Sequence, residues 1–120
     1  MGTRRHTLHG LRQRLERAAE LYLRSCYERR TAARADEFAE HLRRSRSYLS
    51  RIVPETLGVS LRVFLRERQL VYARHLLATT NRSTVVIGQA AGFGTHPTFY
   101  RCFKKAFGMT PGEYRKQVTK

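Results

Sequence analysis

A chain of 120 residues is one domain or two very small ones, enough for modest helical cores but not for a deep catalytic cavity. Its 24 lysines and arginines against 9 aspartates and glutamates leave a formal charge of +15; only positions 104, 105, 116 and 120 are lysine, so 20 of the 24 are arginine. That excess speaks of partners rather than fold: nucleic acid comes before a membrane surface, because arginine's planar fork forms bidentate bonds to phosphate and to the guanine edge.

No apolar run approaches the roughly 20 residues of a membrane span. The start MGTRRHTLHG is charged, without an apolar stretch behind it, so a soluble, cytoplasmic protein is expected. Cys26 and Cys102 are far apart, each inside a helical pattern, and read as reduced thiols without disulfide or zinc spacing. Five histidines are scattered at 6, 9, 41, 75 and 96, without paired carboxylates, a nucleophile and base, or a glycine-rich phosphate loop. An enzyme is excluded, and neither metal nor cofactor is expected.

In chain order, residues 8 to 28 place Leu8, Leu11, Leu15, Ala18, Ala19, Tyr22 and Cys26 on one helical stripe. This is a structural helix rather than a membrane-surface one, which would need stronger lipid-facing residues than Ala and Cys. Residues 29–33 form a polar joint. A helix follows from about Arg34, burying Phe38, Ala39 and Leu42, with Asp36 and Glu37 at its positive end. The turn Leu42-Arg43-Arg44 has no glycine. Ser45 caps the next helix, which buries Leu49 and Ile52 and presents Arg46, Ser47, Ser50 and Arg51. Pro54 removes an N–H and disfavours helical geometry at Val53, so this helix is expected to stop or kink there.

Leu61 to Thr79 is a long helix with Leu61, Phe64, Leu65, Leu70, Ala73, Leu76 and Leu77 on a broad apolar face. At about 1.5 Å per residue it spans roughly 28 Å, close to the roughly 34 Å between successive major-groove turns of one duplex face. The next short helix carries Val86, Ile87, Ala90 and Ala91 on its apolar stripe. Gly92-Phe93-Gly94 makes a sharp turn with Phe93 as an apolar plug. Thr95 caps a final basic helix with Pro97 in its first turn; it buries Phe99, Cys102, Phe103 and Phe107 and turns His96, Tyr100, Arg101, Lys104 and Lys105 outward. Pro111-Gly112 is a turn before a closing helix whose Tyr114 packs inward.

Taken alone, short helix, glycine turn and basic helix describe either a helix-turn-helix or a plain helical hairpin with a solvated face. A second copy weighs for the former. An offset of 50 pairs Ser45 with Thr95, Leu49 with Phe99, Arg51 with Arg101, Val53 with Phe103, Gly58 with Gly108 and Ser60 with Thr110; before the turn the offset is 49. A period near 50 marks a duplicated supersecondary unit. The expected fold is all-α, about seven helices, with two helix-turn-helix subdomains (1–60 and 81–120) joined by a linker helix (61–80).

These residues resemble a known family. Leu57-Gly58-Val59-Ser60, Phe64-Leu65, Ala73 to Leu76-Leu77, Ile87, Gly92-Phe93, Phe99, Arg101, Phe103-Lys104-Lys105, Phe107-Gly108, Thr110-Pro111 and Tyr114-Arg115 look like the DNA-binding domain of the AraC/XylS transcription regulators, over about residues 10 to 116. The resemblance implies binding to asymmetric double-stranded promoter sites, usually as an activator that touches RNA polymerase. Its base-reading positions fall on Ser47, Ser50 and Arg51, and on His96, Pro97, Tyr100 and Arg101. Its phosphate positions fall on Ser45, Thr95 and Lys104, to which Arg46 and Lys105 are added from their outward placement.

Four positions depart from the family pattern: Gln69 where arginine is usual, Gly88 for alanine, Arg43 for a turn glycine, and Val53-Pro54 for an aromatic and a basic residue. From Pro54 and the small Ser47 and Ser50, the second unit is expected to carry more of the binding. No sensing domain or small-molecule effector site is evident. Either the chain is a stand-alone regulator controlled by its abundance or it is a fragment of a longer one, and Met1 with a complete first helix leans toward the former. The competing reading is an interaction module: a decoy of another regulator or a nonspecific polyanion binder.

Overall fold

The computed structural model describes the backbone of residues 2–119 and the side chains of residues 10–119, so the expected stripe position Leu8 lies outside the described side chains. Among the described residues the chain is all-α, with seven helices: α1 (Gly2–Arg29), α2 (Ala35–His41), α3 (Arg46–Leu57), α4 (Leu61–Thr79), α5 (Thr84–Ala90), α6 (His96–Phe107) and α7 (Pro111–Val118). None is long and apolar enough to cross a membrane.

Helices α3 to α7 begin where side chains can accept the orphaned first-turn N–H groups, while α2 follows Arg34 without a side-chain cap. Ser45 Oγ accepts from the Tyr48 N–H at 3.0 Å, Ser60 Oγ from Val63 at 3.1 Å, and Ser83 Oγ from Val86 at 3.1 Å. Thr95 Oγ1 accepts from Thr98 at 3.4 Å. Thr110 and Glu113 close a reciprocal capping box. The duplication reappears in these caps: α2 and α5 are 7 residues each, α3 and α6 are 12 each, and both longer helices end on a left-handed glycine at φ 76°, Gly58 and Gly108. The turn lacking glycine closes through Arg43, held at φ 57°.

Pro54 does not end α3, contrary to expectation. The helix runs on to Leu57, and the Pro54 carbonyl accepts from Gly58 N–H in the C-cap. Val53 sits fully buried on the helix's inner face while Pro54 itself is exposed, so the ring projects into solvent and Val53 packing holds the last turn in place.

The chain divides into two compact units, one of residues up to Tyr22 plus Arg34–Arg68, the other Leu23–Ala33 plus residues from Gln69 onward. The boundaries fall inside α1 and α4 and in the joint between α1 and α2.

In the first unit Leu15, Ala19, Tyr22, Phe38, Ala39, Leu49, Val53, Leu61, Phe64 and Leu65 are buried. Phe38 lies between Tyr22 and Phe64, with ring centroids 5.6 and 6.4 Å away. Tyr22 Oη donates to the Arg34 carbonyl and accepts from the Arg34 N–H, fixing the entry to α2. Leu42 and Ile52 are half-buried; the core position is Val53, one residue on from Ile52.

In the second unit Leu70, Ala73, Leu76, Leu77, Ile87, Ala90, Ala91, Phe93, Phe99 and Phe103 form one core, edged by Tyr27, Tyr72, Cys102, Phe107 and Tyr114. Phe93 is the plug expected under the turn, 5.1 Å from Phe99. Gly92, at φ 84°, has no room for a side chain, since an added Cβ would lie 2.6 Å from Ala33 Cβ. Arg115 donates to the carbonyls of Leu77 and Thr80, capping the end of α4. Val86, expected on the buried stripe, is 37% exposed, because α5 turns Ile87, Gly88 and Ala90 inward instead.

Candidate nucleic-acid interface

In the first unit Ser45, Arg46, Ser47, Tyr48, Ser50 and Arg51 are all exposed along one side of α3. Residues 47, 50 and 51 stand at i, i+3 and i+4, so they share one helical stripe. Ser45 spends its oxygen lone pair on the cap and keeps its own O–H free to donate outward. Arg46 is held differently: its Nη1 lies 2.8 Å from Asp36 Oδ1 on α2, an exposed ion pair. Arg51 Nη1 is 3.8 Å from Glu55 Oε2, one turn further along.

Two residues outside the sequence expectation belong to this face. The guanidinium of Arg44 lies 5.6 Å, and that of Arg51 5.7 Å, from the ring centroid of Tyr48, which is itself 36% exposed. The i, i+3 spacing of Tyr48 and Arg51 on α3 was legible in the sequence, whereas Arg44 reaches the ring from the turn before the Ser45 cap, a placement that only the fold decides.

In the second unit α6 presents Pro97, Tyr100, Arg101, Lys104 and Lys105 to solvent. Their spacing of i, i+3, i+4, i+7 and i+8 is one stripe opposite Phe99 and Phe103. His96 differs from expectation: it is half-buried, its ring 6.3 Å from that of Tyr100, and its Nδ1 is buried without a partner among the described residues. Thr95 Oγ1 both accepts from the Thr98 N–H and donates to Thr98 Oγ1 at 2.8 Å, so its hydroxyl is taken up by the cap. Arg101, unlike Arg51, has no ion-pair partner among the described residues.

Neither α3 nor α6 carries an acidic residue in its first turn, so the positive ends of both helices are left open to anions. The arrangement is a pair of convex, cationic helix faces with forked donors on rigid elements, suited to groove edges and phosphates rather than to an enclosed substrate. A cleft of about 690 Å³ does exist in the second unit, lined by Tyr27, Arg30, Thr31, Arg82, Val86 and Gln89 among others, and none of the expected contact residues borders it. Cys26 is buried and Cys102 half-buried, both as free thiols, and the described residues contain no cluster of three or more metal-ligating side chains.

Comparison with known proteins agrees with this geometry. A family profile described as a helix-turn-helix domain matches residues 38–117. The chain is 37% identical over 82 residues to the HTH-type transcriptional regulator ArgR of Pseudomonas aeruginosa, covering 68% of this chain and 25% of that protein. It is 31% identical over 98 residues to the probable transcription factor PqrA of Proteus vulgaris, covering 82% of this chain and 80% of that one. A crystal structure of a transcriptional regulator with an AraC-type DNA-binding domain from Chromobacterium violaceum matches with a TM-score of 0.71 and 29% identity, over 92% of this chain and 97% of that one. The chain spans between 25% and 37% of the length of the first curated relatives it matches. These relatives and this fold are those of DNA-binding transcription regulators, not enzymes. With two copies of a short helix followed by a capped, cationic longer one and matches over most of its length, the chain belongs to the AraC/XylS family of transcription regulators, as a DNA-binding domain of the AraC type.

Proposed function

We propose that this chain binds double-stranded promoter DNA at a preferred, asymmetric sequence and activates transcription, with α3 and α6 entering successive major grooves. One observation carries the reading: Arg51 and Arg101 are the sixth residues of two equivalent 12-residue helices, both exposed, in a chain of charge +15. Each guanidinium can take the O6/N7 edge of a guanine, a contact worth about 1 to 3 kcal/mol of discrimination.

Around them, Ser47, Ser50, His96 and Tyr100 face base edges, and Pro97 offers an apolar surface to a thymine methyl. Lys104 and Lys105 hold phosphate, with the Ser45 hydroxyl, the Thr95 end of α6, and Arg46 once released from Asp36. Unequal side chains in the two copies make the site asymmetric. RNA polymerase is the partner through which activation acts, and the cytoplasm is the place of action.

The test is selection of bound duplexes from a random-sequence pool at about 150 mM salt. A regulator enriches one asymmetric site with a specificity ratio of about 10³ or more. A nonspecific polyanion binder or decoy enriches no sequence, and that outcome overturns the reading. Activation is then tested by transcription from the enriched site with purified RNA polymerase, where more transcript is expected and an unchanged or lower yield refutes it.

A further inference from the structure

We propose that Tyr48 is a positioning residue for base reading by the first unit: its ring holds the Arg51 guanidinium toward the N-terminal end of α3, ready to meet a base edge. The inference rests on the base-reading role assigned above to Arg51.

Tyr48 is one of the few large aromatic side chains left exposed, and among the described residues its hydroxyl makes no hydrogen bond, so neither core packing nor a polar contact accounts for its place. What the ring does touch is cationic. Arg51, three residues on, lies 5.7 Å from its centroid, and Arg44, four residues back, lies 5.6 Å away. Both are within the range in which the negative face of an aromatic ring attracts a guanidinium.

Arg51 stands between two opposed pulls. Glu55, four residues toward the C-terminus, draws the guanidinium down the helix across an exposed contact of 3.8 Å. Tyr48 draws it the other way, along the direction in which helical side chains already lean. A free arginine loses much rotamer freedom when it grips a base, and a guanidinium already placed loses less. Two guanidiniums on one ring also repel each other, a repulsion that a phosphate nearby would relieve.

The second unit has no counterpart. The position equivalent to Tyr48 is Thr98, whose hydroxyl is bonded to Thr95, and among the described residues the Arg101 guanidinium lies over no aromatic ring. Ring positioning is therefore confined to the first recognition helix.

The experiment measures competition binding of the full chain to the selected duplex and to duplexes changed one base at a time. Variants are Tyr48→Phe, Tyr48→Ala, Tyr48→Leu, Arg51→Ala and the Tyr48→Ala/Arg51→Ala double. Tyr48→Ala and Tyr48→Leu should lower discrimination by about two- to five-fold at the base that Arg51→Ala affects and at no other. Tyr48→Phe, which keeps the ring, should bind as the parent, and the double variant should be no worse at that base than Arg51→Ala alone. The proposal is overturned if Tyr48→Phe is as damaging as Tyr48→Ala, which makes the hydroxyl a direct contact. It is equally overturned if the ring-less variants weaken every duplex uniformly, or if the double variant is additive. Should Arg51→Ala alter no base, the failure lies in the base-reading role itself, and positioning falls with it.

Discussion

A Cβ placed on Gly88 would lie 2.7 Å from Cδ2 of Phe99 and 2.9 Å from its Cγ. Phe99 has no room to withdraw, being fully buried with Phe93 at 5.1 Å and Phe103 at 5.7 Å. The family-typical alanine is thus excluded by the close approach of α5 to α6. Overpacking costs about 1 to 3 kcal/mol, and alanine's helix propensity returns up to about 1. Gly88→Ala should therefore destabilise the second unit by about 1 to 2 kcal/mol in urea unfolding. A variant as stable as the parent would show that the α5–α6 contact is looser than described.

Gln69 is 5% exposed and its Nε2 donates to the carbonyls of Ala91 at 3.0 Å and Gly92 at 2.8 Å, tying α4 to the turn of the second unit. In Gln69→Leu the Gly92 carbonyl still has the Ala33 N–H, while Ala91 loses its side-chain donor. One buried acceptor left short costs about 1 to 3 kcal/mol. Unfolding at equilibrium should show a loss in that range; a gain would mean that apolar packing outweighs the hydrogen bonds.

Pro54 lies inside α3, where it withholds the N–H that the Ser50 carbonyl would otherwise receive. Since an interior proline costs about 3 kcal/mol relative to alanine, Pro54→Ala should raise the stability of the first unit by about 1 to 3 kcal/mol. Calorimetry of the two proteins would decide it, and an unchanged midpoint would mean that the surrounding turn already compensates.

Glu113 has its carboxyl held below the usual value, first by the Thr110 backbone N–H at 2.8 Å and then by the Thr110 hydroxyl, with Lys104 and Lys116 adding to it. A lowered folded-state pKa means that the capping box contributes fully above the unfolded value near 4.5 and is lost as pH falls through the folded one. The α7 amides should accordingly lose hydrogen-exchange protection below about pH 4.5. In Glu113→Gln, which keeps the acceptor without the titration, that dependence should vanish; its persistence would assign the effect to another group.

Arg101→Ala should relax discrimination at one base by about 1 to 3 kcal/mol without uniform weakening elsewhere. Arg51→Ala should cost less, because Arg51 gives up its contact with Glu55 on binding, an exposed pair worth about 0.2 to 1 kcal/mol. Titrating both variants on one selected duplex checks the order, and a larger loss from Arg51 reverses it. Of the two grounds for unequal units, a helix cut short at Pro54 no longer applies, as α3 and α6 are equally long, while the small Ser47 and Ser50 remain.

By itself the sequence determined most of what neighbours along the chain govern. Ser45 and Thr95 marked helix starts, Gly92 and Gly94 marked the turn, and α4 fell on Leu61–Thr79 as expected, because caps and apolar periods act within one or two helical turns, whereas Pro111-Gly112, expected as a turn, opens α7 behind the Thr110 cap. The exposed stripes of α3 and α6, and with them most of the candidate interface, were legible for the same reason. Only the tertiary structure decided what depends on residues distant in sequence. Asp36 across the α2–α3 turn engages Arg46, Phe99 favours glycine at Gly88, the carbonyls of Ala91 and Gly92 justify a buried Gln69, and packing of Val53 carries α3 past Pro54. In each case the deciding partner lies beyond the reach of local preferences, in contacts that form only on folding.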